Sequence, residues 1–127
     1  MVQEPIPTYF DHSKYKIDYK QLKNNQIMIK HIVLFKLKEF ENEDQKAVVR
    51  NKIKQSLLAL KVKIEVLKYI EVGQNYELIS SSYDICLITQ FETLKDLEAY
   101  RTHPEHLKVV ELIKANTTGR AVVDFEF

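Results

Sequence analysis

The stretch Ile29-Lys30-His31-Ile32-Val33-Leu34-Phe35-Lys36-Leu37 predicts a β-strand with apolar residues on both of its faces. Its β-branched, aliphatic and aromatic side chains occupy both sets of alternating positions. A second stretch, Tyr83–Phe91, predicts another strand and is again apolar on both faces near Ile85–Ile88. The two strands therefore predict a sheet that is covered on both sides.

The segments around these strands complete an element order of β-α-β-β-α-β. Behind the predicted helix cap Asn42, apolar residues recur at helical spacing as Val49, Ile53, Leu57 and Leu60. The next predicted elements are a helix from about Glu43 to Leu60, a strand over Val62–Val72 and a polar connector over Gly73–Ser82. After the Tyr83–Phe91 strand, a short helix is capped by Thr93 and runs through Tyr100. A further helical piece starts at Pro104, carries Leu107, Val110 and Ile113, and ends at Thr117-Thr118-Gly119, before a last strand over Ala121–Phe127. This order is typical of the α+β ferredoxin-like fold with a four-stranded antiparallel sheet.

A sheet of this kind carries helices on one face only, which leaves its second apolar face open. An exposed apolar sheet promotes aggregation. A second copy of the chain, packed sheet against sheet, is the simplest cover. We therefore predict a homodimer with twofold symmetry.

Size and composition exclude several classes of function. The chain has 127 residues and a net charge of +1, which fits one globular domain and gives no reason to expect nucleic acid or a membrane as partner. Cys86 is the single cysteine, so no disulfide forms within the chain, and we expect a cytoplasmic protein. No apolar run approaches the ~20 residues of a membrane span. The two glycines, Gly73 and Gly119, cannot build a glycine-rich phosphate cradle, and we expect no organic cofactor.

The first part of the chain differs from the rest. Residues 1–27 contain Pro5, Pro7 and scattered Tyr and Lys, with little periodicity. We interpret residues 1–27 as an N-terminal extension and residues 28–127 as the domain.

The segment Tyr100-Arg101-Thr102-His103-Pro104-Glu105-His106 combines two imidazoles and a phenol with a proline that can open a helix. With Pro104 at the first helical position, His106 lies near the positive end of the helix dipole, which disfavours imidazolium. A neutral His suits a general base. The alternative is structural, with His103 as a helix cap and His106 as a hydrogen-bonded ring. The two histidines could also hold a metal, but no further His or Cys lies nearby in sequence, and we predict no metal site.

Three stretches together resemble the stress-responsive α/β-barrel (Dabb) family. They are the predicted first strand from Met28 to Lys36, the Tyr100 to His106 segment, and the ending Arg120-Ala121-Val122-Val123-Asp124-Phe125-Glu126-Phe127. The resemblance extends from Met28 to the end of the chain. It implies a dimeric α+β barrel with a cavity between each sheet and its helices.

The resemblance also implies candidate site residues. In plant polyketide cyclases of this family, the positions of His106 and Tyr100 hold the catalytic acid/base pair, and the position of His31 lines the same cavity. A further cavity histidine of those enzymes falls on Asp84 here, which is a departure from their pattern.

The predicted strands place the other candidate residues. His31 shares a strand face with Val33 and Phe35, and Asp84 shares one with Cys86. If that second face lines the cavity, Asp84 is partly buried and needs a partner, for which His31 or His106 is our expectation. Otherwise Asp84 is a polar residue at the start of a strand. Phe35 and Cys86 complete the predicted substrate-binding residues, although Cys86 is also typical of a small buried apolar residue.

Three functions remain open from the sequence. The first is cofactor-free acid/base chemistry on a small aromatic or polyketide-like compound, with His106 as base and Tyr100 as oxyanion donor. The second is a non-enzymatic, stress-related ligand-binding or oligomeric protein. The third is a monooxygenase-like member of the same fold.

Overall fold

The computed structural model describes residues 27–76 and 81–127. The predicted extension over residues 1–27 therefore lies outside the described residues, except for Ile27. The described elements are, in chain order, β1 (Ile29–Leu37), α1 (Glu43–Leu58), a 3₁₀ helix (Ala59–Val62), β2 (Tyr69–Gln74), β3 (Ile85–Phe91), α2 (Leu94–Arg101), α3 (Pro104–Asn116) and β4 (Thr117–Glu126).

The four strands of the described chain form one antiparallel sheet in the order β2-β3-β1-β4. The first strand lies between β3 and β4, and it pairs His31 with Thr89 on one side and with Asp124 on the other. This arrangement confirms the predicted α+β ferredoxin-like fold.

One face of the sheet packs against the helices. The odd-numbered residues of β1, from Ile29 to Leu37, are all buried on this face. From α1, Ile53 and Leu57 meet them with 0% and 1% of their surface exposed. The apolar stripe predicted behind Asn42 therefore forms the core, and the Asn42 side chain caps the helix by accepting the backbone N–H of Gln45 at 2.9 Å.

The opposite face of the sheet is also apolar. In the single chain, Val123 is 59% exposed and Phe125 is 43% exposed on this face, and Leu34 contributes from β1. We call the face that carries these residues the outer face of the sheet. Its character agrees with the prediction that both faces of the central strands need a cover.

The predicted strand over Val62–Val72 is wrong in its first part, because β2 begins only at Tyr69. Val62 ends the 3₁₀ helix and is 90% exposed, whereas Ile64 and Leu67 are buried in the core. The backbone N–H of Ile64 donates to Leu60, and that of Leu67 donates to Ile64, so local turns replace the sheet. The apolar residues of this segment therefore follow a turn spacing of three residues rather than a strand alternation.

The predicted end of the last helix is also wrong, because α3 ends at Asn116 and β4 begins directly at Thr117. Gly119 lies inside β4 and has no positive φ. The last helical carbonyls are satisfied by side chains instead, since Thr117 donates to Ile113 at 2.9 Å and Asn116 donates to Leu112 at 2.8 Å. A glycine cap is therefore not needed.

The inward face of α3 is shifted from the predicted stripe. Val109 and Ile113 are its buried residues, whereas Leu107 is 49% exposed. Among the described helices, none is both long and apolar enough to cross a membrane.

Candidate functional site

A cavity of about 250 Å³ lies between the helix-facing side of the sheet and the pair α2 and α3. Its apolar wall is formed by Val33, Phe35, Leu57, Leu87, Val110 and Ile113. Its polar lining consists of His31, Tyr100, Arg101, His106, Lys114, Thr117 and Arg120. Four of the sequence-predicted site residues, His31, Phe35, Tyr100 and His106, therefore converge on one space.

Tyr100 is the most deeply buried polar group of this cavity. Its side chain, near the end of α2, is 0% exposed, and its ring packs against Phe91 with centroids 4.9 Å apart. Its hydroxyl has no hydrogen-bond partner among the described residues. Burial raises the pKa of the phenol well above its ordinary range. Tyr100 is therefore a neutral hydroxyl donor that lines the cavity and finds no acceptor within the described part of the chain.

His106 lies in the first turn of α3, as Pro104 predicted. The helix is capped by His103, whose Nδ1 accepts the backbone N–H of Glu105 at 3.1 Å. Nδ1 of His106 lies 3.0 Å from the carbonyl oxygen of Arg101. Because a carbonyl only accepts, Nδ1 carries the proton, and Nε2 is the nitrogen left for a ligand.

The protonation state of His106 follows from its surroundings. Burial lowers its pKa, the hydrogen bond to the Arg101 carbonyl opposes this, and the charges of His31 and Arg120 lower it further. The direction agrees with the sequence prediction, although burial rather than the helix dipole is the main cause. His106 is therefore neutral near pH 7.

His31 is buried in the centre of the sheet, with 3% of its surface exposed. Its Nδ1–H donates to Oδ1 of Asp124, and the other carboxylate oxygen of Asp124 accepts from Arg101 at 3.1 Å. Burial lowers the pKa of His31, against the raising effect of Asp124. Like His106, His31 keeps Nε2 available to a ligand.

Sequence reasoning missed four charged residues of this site: Arg101, Lys114, Arg120 and Asp124. Three of them, Arg101, Lys114 and Arg120, line the cavity, and Asp124 holds His31. On β4, Arg120 and Asp124 pair with Phe35 and His31, which places them on the helix-facing side. The alternation of β4 indicates that Arg120 and Asp124 share one face of the strand. Which side of the sheet that face occupies follows only from the register of β4 against β1.

Asp84 lies outside this cavity, and the expectation that it pairs with His31 or His106 is wrong. Its carboxylate accepts the backbone N–H of Leu37 at 2.7 Å and pairs with Lys46 at 3.0 Å. These contacts tie the start of β3 to the end of β1 and to α1. The pocket that Asp84 lines, of about 380 Å³, is a separate depression shared with Asn42 and Lys46.

Cys86 also lies away from the cavity. It pairs with Leu34 in the sheet and shares a depression on the outer face with Gly73 and Tyr83. Burial raises the pKa of its thiol, and the charge of Glu71 adds to this effect. Cys86 is therefore a protonated thiol near pH 7, on the opposite side of the sheet from His31.

Within the part of the chain that the structure describes, no three His, Cys, Asp or Glu side chains converge as a metal site would require. Nδ1 of both His103 and His106 is engaged in local hydrogen bonds.

Comparison with known proteins identifies a matching protein family and several solved structures with a similar fold. Residues 29–127 match the family model described as Stress Responsive A/B Barrel Domain. An uncharacterised protein of Streptomyces coelicolor is 30% identical over 100 residues, which cover 79% of this chain and all of that protein.

Two solved structures illustrate the fold. A dimeric protein of unknown function with a ferredoxin-like fold from Bacteroides fragilis is 41% identical, with a TM-score of 0.71, covering 79% of this chain and 96% of the other. A hydroxynitrile lyase of Passiflora edulis has a TM-score of 0.67 at 13% identity, covering 80% of this chain and 94% of its own, and shows the fold alone.

Proposed function

We propose that this chain, which belongs to the stress responsive A/B barrel domain family, binds a small organic molecule in the cavity and transfers a proton to or from it. In this proposal the protein works as a homodimer and without an organic cofactor. His106 is the general base, Tyr100 donates a hydrogen bond to the developing oxyanion, and His31 and Phe35 contact the substrate.

The hydroxyl of Tyr100 is the observation that carries the proposal. A buried hydroxyl without a partner destabilises a fold by about 1–3 kcal/mol. Such groups are rare in native proteins, and a catalytic role or a bound water or ion is among the explanations for one. Since Tyr100 lines a cavity and lies next to His106, an oxygen atom of a bound molecule is the partner that we expect.

The proposed reaction needs only these groups. Nε2 of neutral His106 takes a proton from an acidic C–H or O–H of the substrate, and the electron pair left behind moves to the substrate oxygen. The Tyr100 hydroxyl donates to that oxygen and stabilises its charge. The proton then returns to another atom of the substrate, so that no cofactor or co-reactant is consumed.

The size and lining of the cavity restrict the substrate. A volume of about 250 Å³ lies below the roughly 300–1,000 Å³ typical of pockets for drug-sized ligands. Phe35 and the aliphatic side chains around it offer an apolar surface for a ring. A small aromatic compound with a carbonyl or enol group fits both features.

The outer face supports the homodimer. Val123, Phe125 and Phe127 all leave 41–59% of their surface exposed in the single chain, and the Bacteroides fragilis relative is dimeric. Packing two outer faces together would remove these side chains from water.

The non-enzymatic alternative also rests on a specific observation. Nδ1 of His31 and of His106 is held by a protein acceptor, as in structural histidines. In that case the cavity binds a ligand and the imidazoles only shape it.

Exchange of substrate protons separates these functions. We expect the wild type to accelerate deuterium exchange at the acidic carbon of benzoylacetone, a small aryl diketone, as measured by NMR in D2O. Tyr100→Phe and His106→Gln should lower this rate at least tenfold. His103→Asn, which keeps a helix-capping side chain and lies outside the cavity lining, should not. Binding without accelerated exchange would support the non-enzymatic alternative, and no binding would contradict both.

A further inference from the structure

The charges at the cavity mouth are not balanced within the described residues. Three cationic side chains, Arg101, Lys114 and Arg120, line the cavity, and no acidic side chain does. Arg101 is neutralised by Asp124 at 3.1 Å and by Glu98 at 3.3 Å. Lys114 and Arg120 form no ion pair within residues 27–76 and 81–127.

The charge of Arg120 reaches the two imidazoles. It contributes to lowering the pKa of both His31 and His106. Because the charge of Arg120 acts on both imidazoles in an apolar and partly enclosed space, it creates a positive electrostatic potential inside the cavity. This potential favours a negatively charged occupant.

The polar groups of the cavity lie at two separate ends. Tyr100 is fully buried, whereas Lys114 and Arg120 are exposed at the rim. On β4, Arg120 pairs with Phe35 and lies four residues before Asp124, which pairs with His31. Four residues of a strand span about 13 Å, part of which the long arginine side chain bridges. Val33, which pairs with Val122 and lies two residues from both His31 and Phe35, belongs to the apolar wall between the two ends.

We infer that the ligand of this cavity is a small apolar carboxylate, with its carboxylate against Arg120 and Lys114 and its apolar body along the wall toward Tyr100 and His106. The inference rests on the proposed function and specifies the substrate class. Arginine is suited to this role because its guanidinium binds a carboxylate through two parallel hydrogen bonds. The carbonyl or enol group required for proton transfer then belongs to the buried end of the same molecule.

Two probes of equal shape test the charge requirement. Phenylacetate and phenylacetamide differ in charge but hardly in size, and their affinities can be measured by calorimetry at low ionic strength. We expect the wild type to bind phenylacetate at least tenfold more tightly, since hydrogen bonds to charged groups are the stronger ones. Added salt should reduce this preference, because the two cations lie at an exposed rim.

Variants assign the preference to the rim. Arg120→Gln and Lys114→Gln should each reduce the preference for phenylacetate over phenylacetamide. In Arg120→Gln the ratio of the two affinities should fall below threefold. Arg50→Gln is the matched control, because Arg50 pairs with Glu43 on α1 and does not line the cavity. Sedimentation at matched concentration checks that each variant keeps the assembly of the wild type.

The possible outcomes are distinct. Equal affinity of the wild type for the two probes, or a preference that survives Arg120→Gln, would overturn the inference. If benzoylacetone still exchanges its protons in that case, the proposed function stands and only the carboxylate requirement fails. If the wild type neither exchanges benzoylacetone nor binds either probe, both the inference and the proposed function fail.

Discussion

The imidazole of His106 lies against the ring of Tyr100, with ring centroids 4.2 Å apart and planes inclined by 39°. The short junction between α2 and α3 sets this contact, since the backbone N–H of His103 donates to the carbonyl of Tyr100 at 3.1 Å. The Tyr100 ring also packs against Phe91. Ring packing therefore positions the phenol, and its buried hydroxyl has no hydrogen-bond partner among the described residues.

Removing the Tyr100 hydroxyl should stabilise the ligand-free protein. In Tyr100→Phe the unpaired buried hydroxyl is gone, so we expect the free energy of unfolding to rise by about 1 kcal/mol in a denaturant titration at matched protein concentration. Tyr76→Phe is the control, because Tyr76 is 95% exposed and should change stability by less than about 0.5 kcal/mol. A clear loss of stability in Tyr100→Phe would mean that the hydroxyl is paired within the protein.

Removing the charge of Asp124 should lower the pKa of His31. The carboxylate of Asp124 raises that pKa through a hydrogen bond and through its charge, and it also neutralises Arg101. In Asp124→Asn the negative charge beside His31 and the neutralisation of Arg101 are lost, while the amide oxygen still accepts from Nδ1. NMR titration of the imidazole should show a lower pKa than in the wild type. Glu126→Gln removes a carboxylate two residues farther along β4 and should have a smaller effect.

Acidification below about pH 6.5 should destabilise the fold through His31 and His106. Both pKa values are lowered in the folded state, from an ordinary value of about 6.5 that applies to the unfolded chain. The unfolded chain therefore binds more protons in this range, and the contribution to stability, complete above about pH 6.5, is lost as the pH falls toward the folded pKa values. Urea titrations between pH 8 and pH 5 should show a weaker pH dependence in His106→Gln. An unchanged dependence in that variant would contradict the assignment to His106.

Asp84 should be important for stability and not for ligand binding. Its side chain is 5% exposed, and Asp84→Ala would remove the ion pair with Lys46 and leave the Leu37 N–H without its acceptor. We expect a loss of about 2–4 kcal/mol in the free energy of unfolding. Glu43→Gln, which breaks an exposed ion pair with Arg50, should cost less than about 0.5 kcal/mol. If a folded Asp84 variant bound phenylacetate with altered affinity, Asp84 would have to be counted among the ligand-binding residues.

A charge on the outer face of the sheet should weaken the proposed homodimer. Val123→Lys places an ammonium on this face, and we expect the dissociation constant of the dimer to rise at least tenfold by analytical ultracentrifugation. Val48→Lys is the matched control, because Val48 is 69% exposed on α1, on the helical side of the molecule. An unaffected dimer in Val123→Lys would place the interface elsewhere.

Local signals predicted most elements correctly because their causes lie within a few residues. The Asn42 and Thr93 side chains each accept the backbone N–H three residues ahead, as their cap positions indicated. The helical spacing of Ile53 and Leu57 identified core residues. The same reasoning failed over residues 62–68, because a short apolar run fits both a strand and a series of turns.

The sequence by itself determined the element order, the two apolar faces of the central strands and the Tyr100 to His106 segment, because capping, hydrophobic periodicity and proline geometry act over short distances. Tertiary structure alone decided which charged groups meet. His31 donates to Asp124, which lies 93 residues later in the chain. Asp84 pairs with Lys46 rather than with a histidine. Strand register sets such pairs, and a shift of one residue would turn Asp124 and Arg120 to the outer face, away from the cavity.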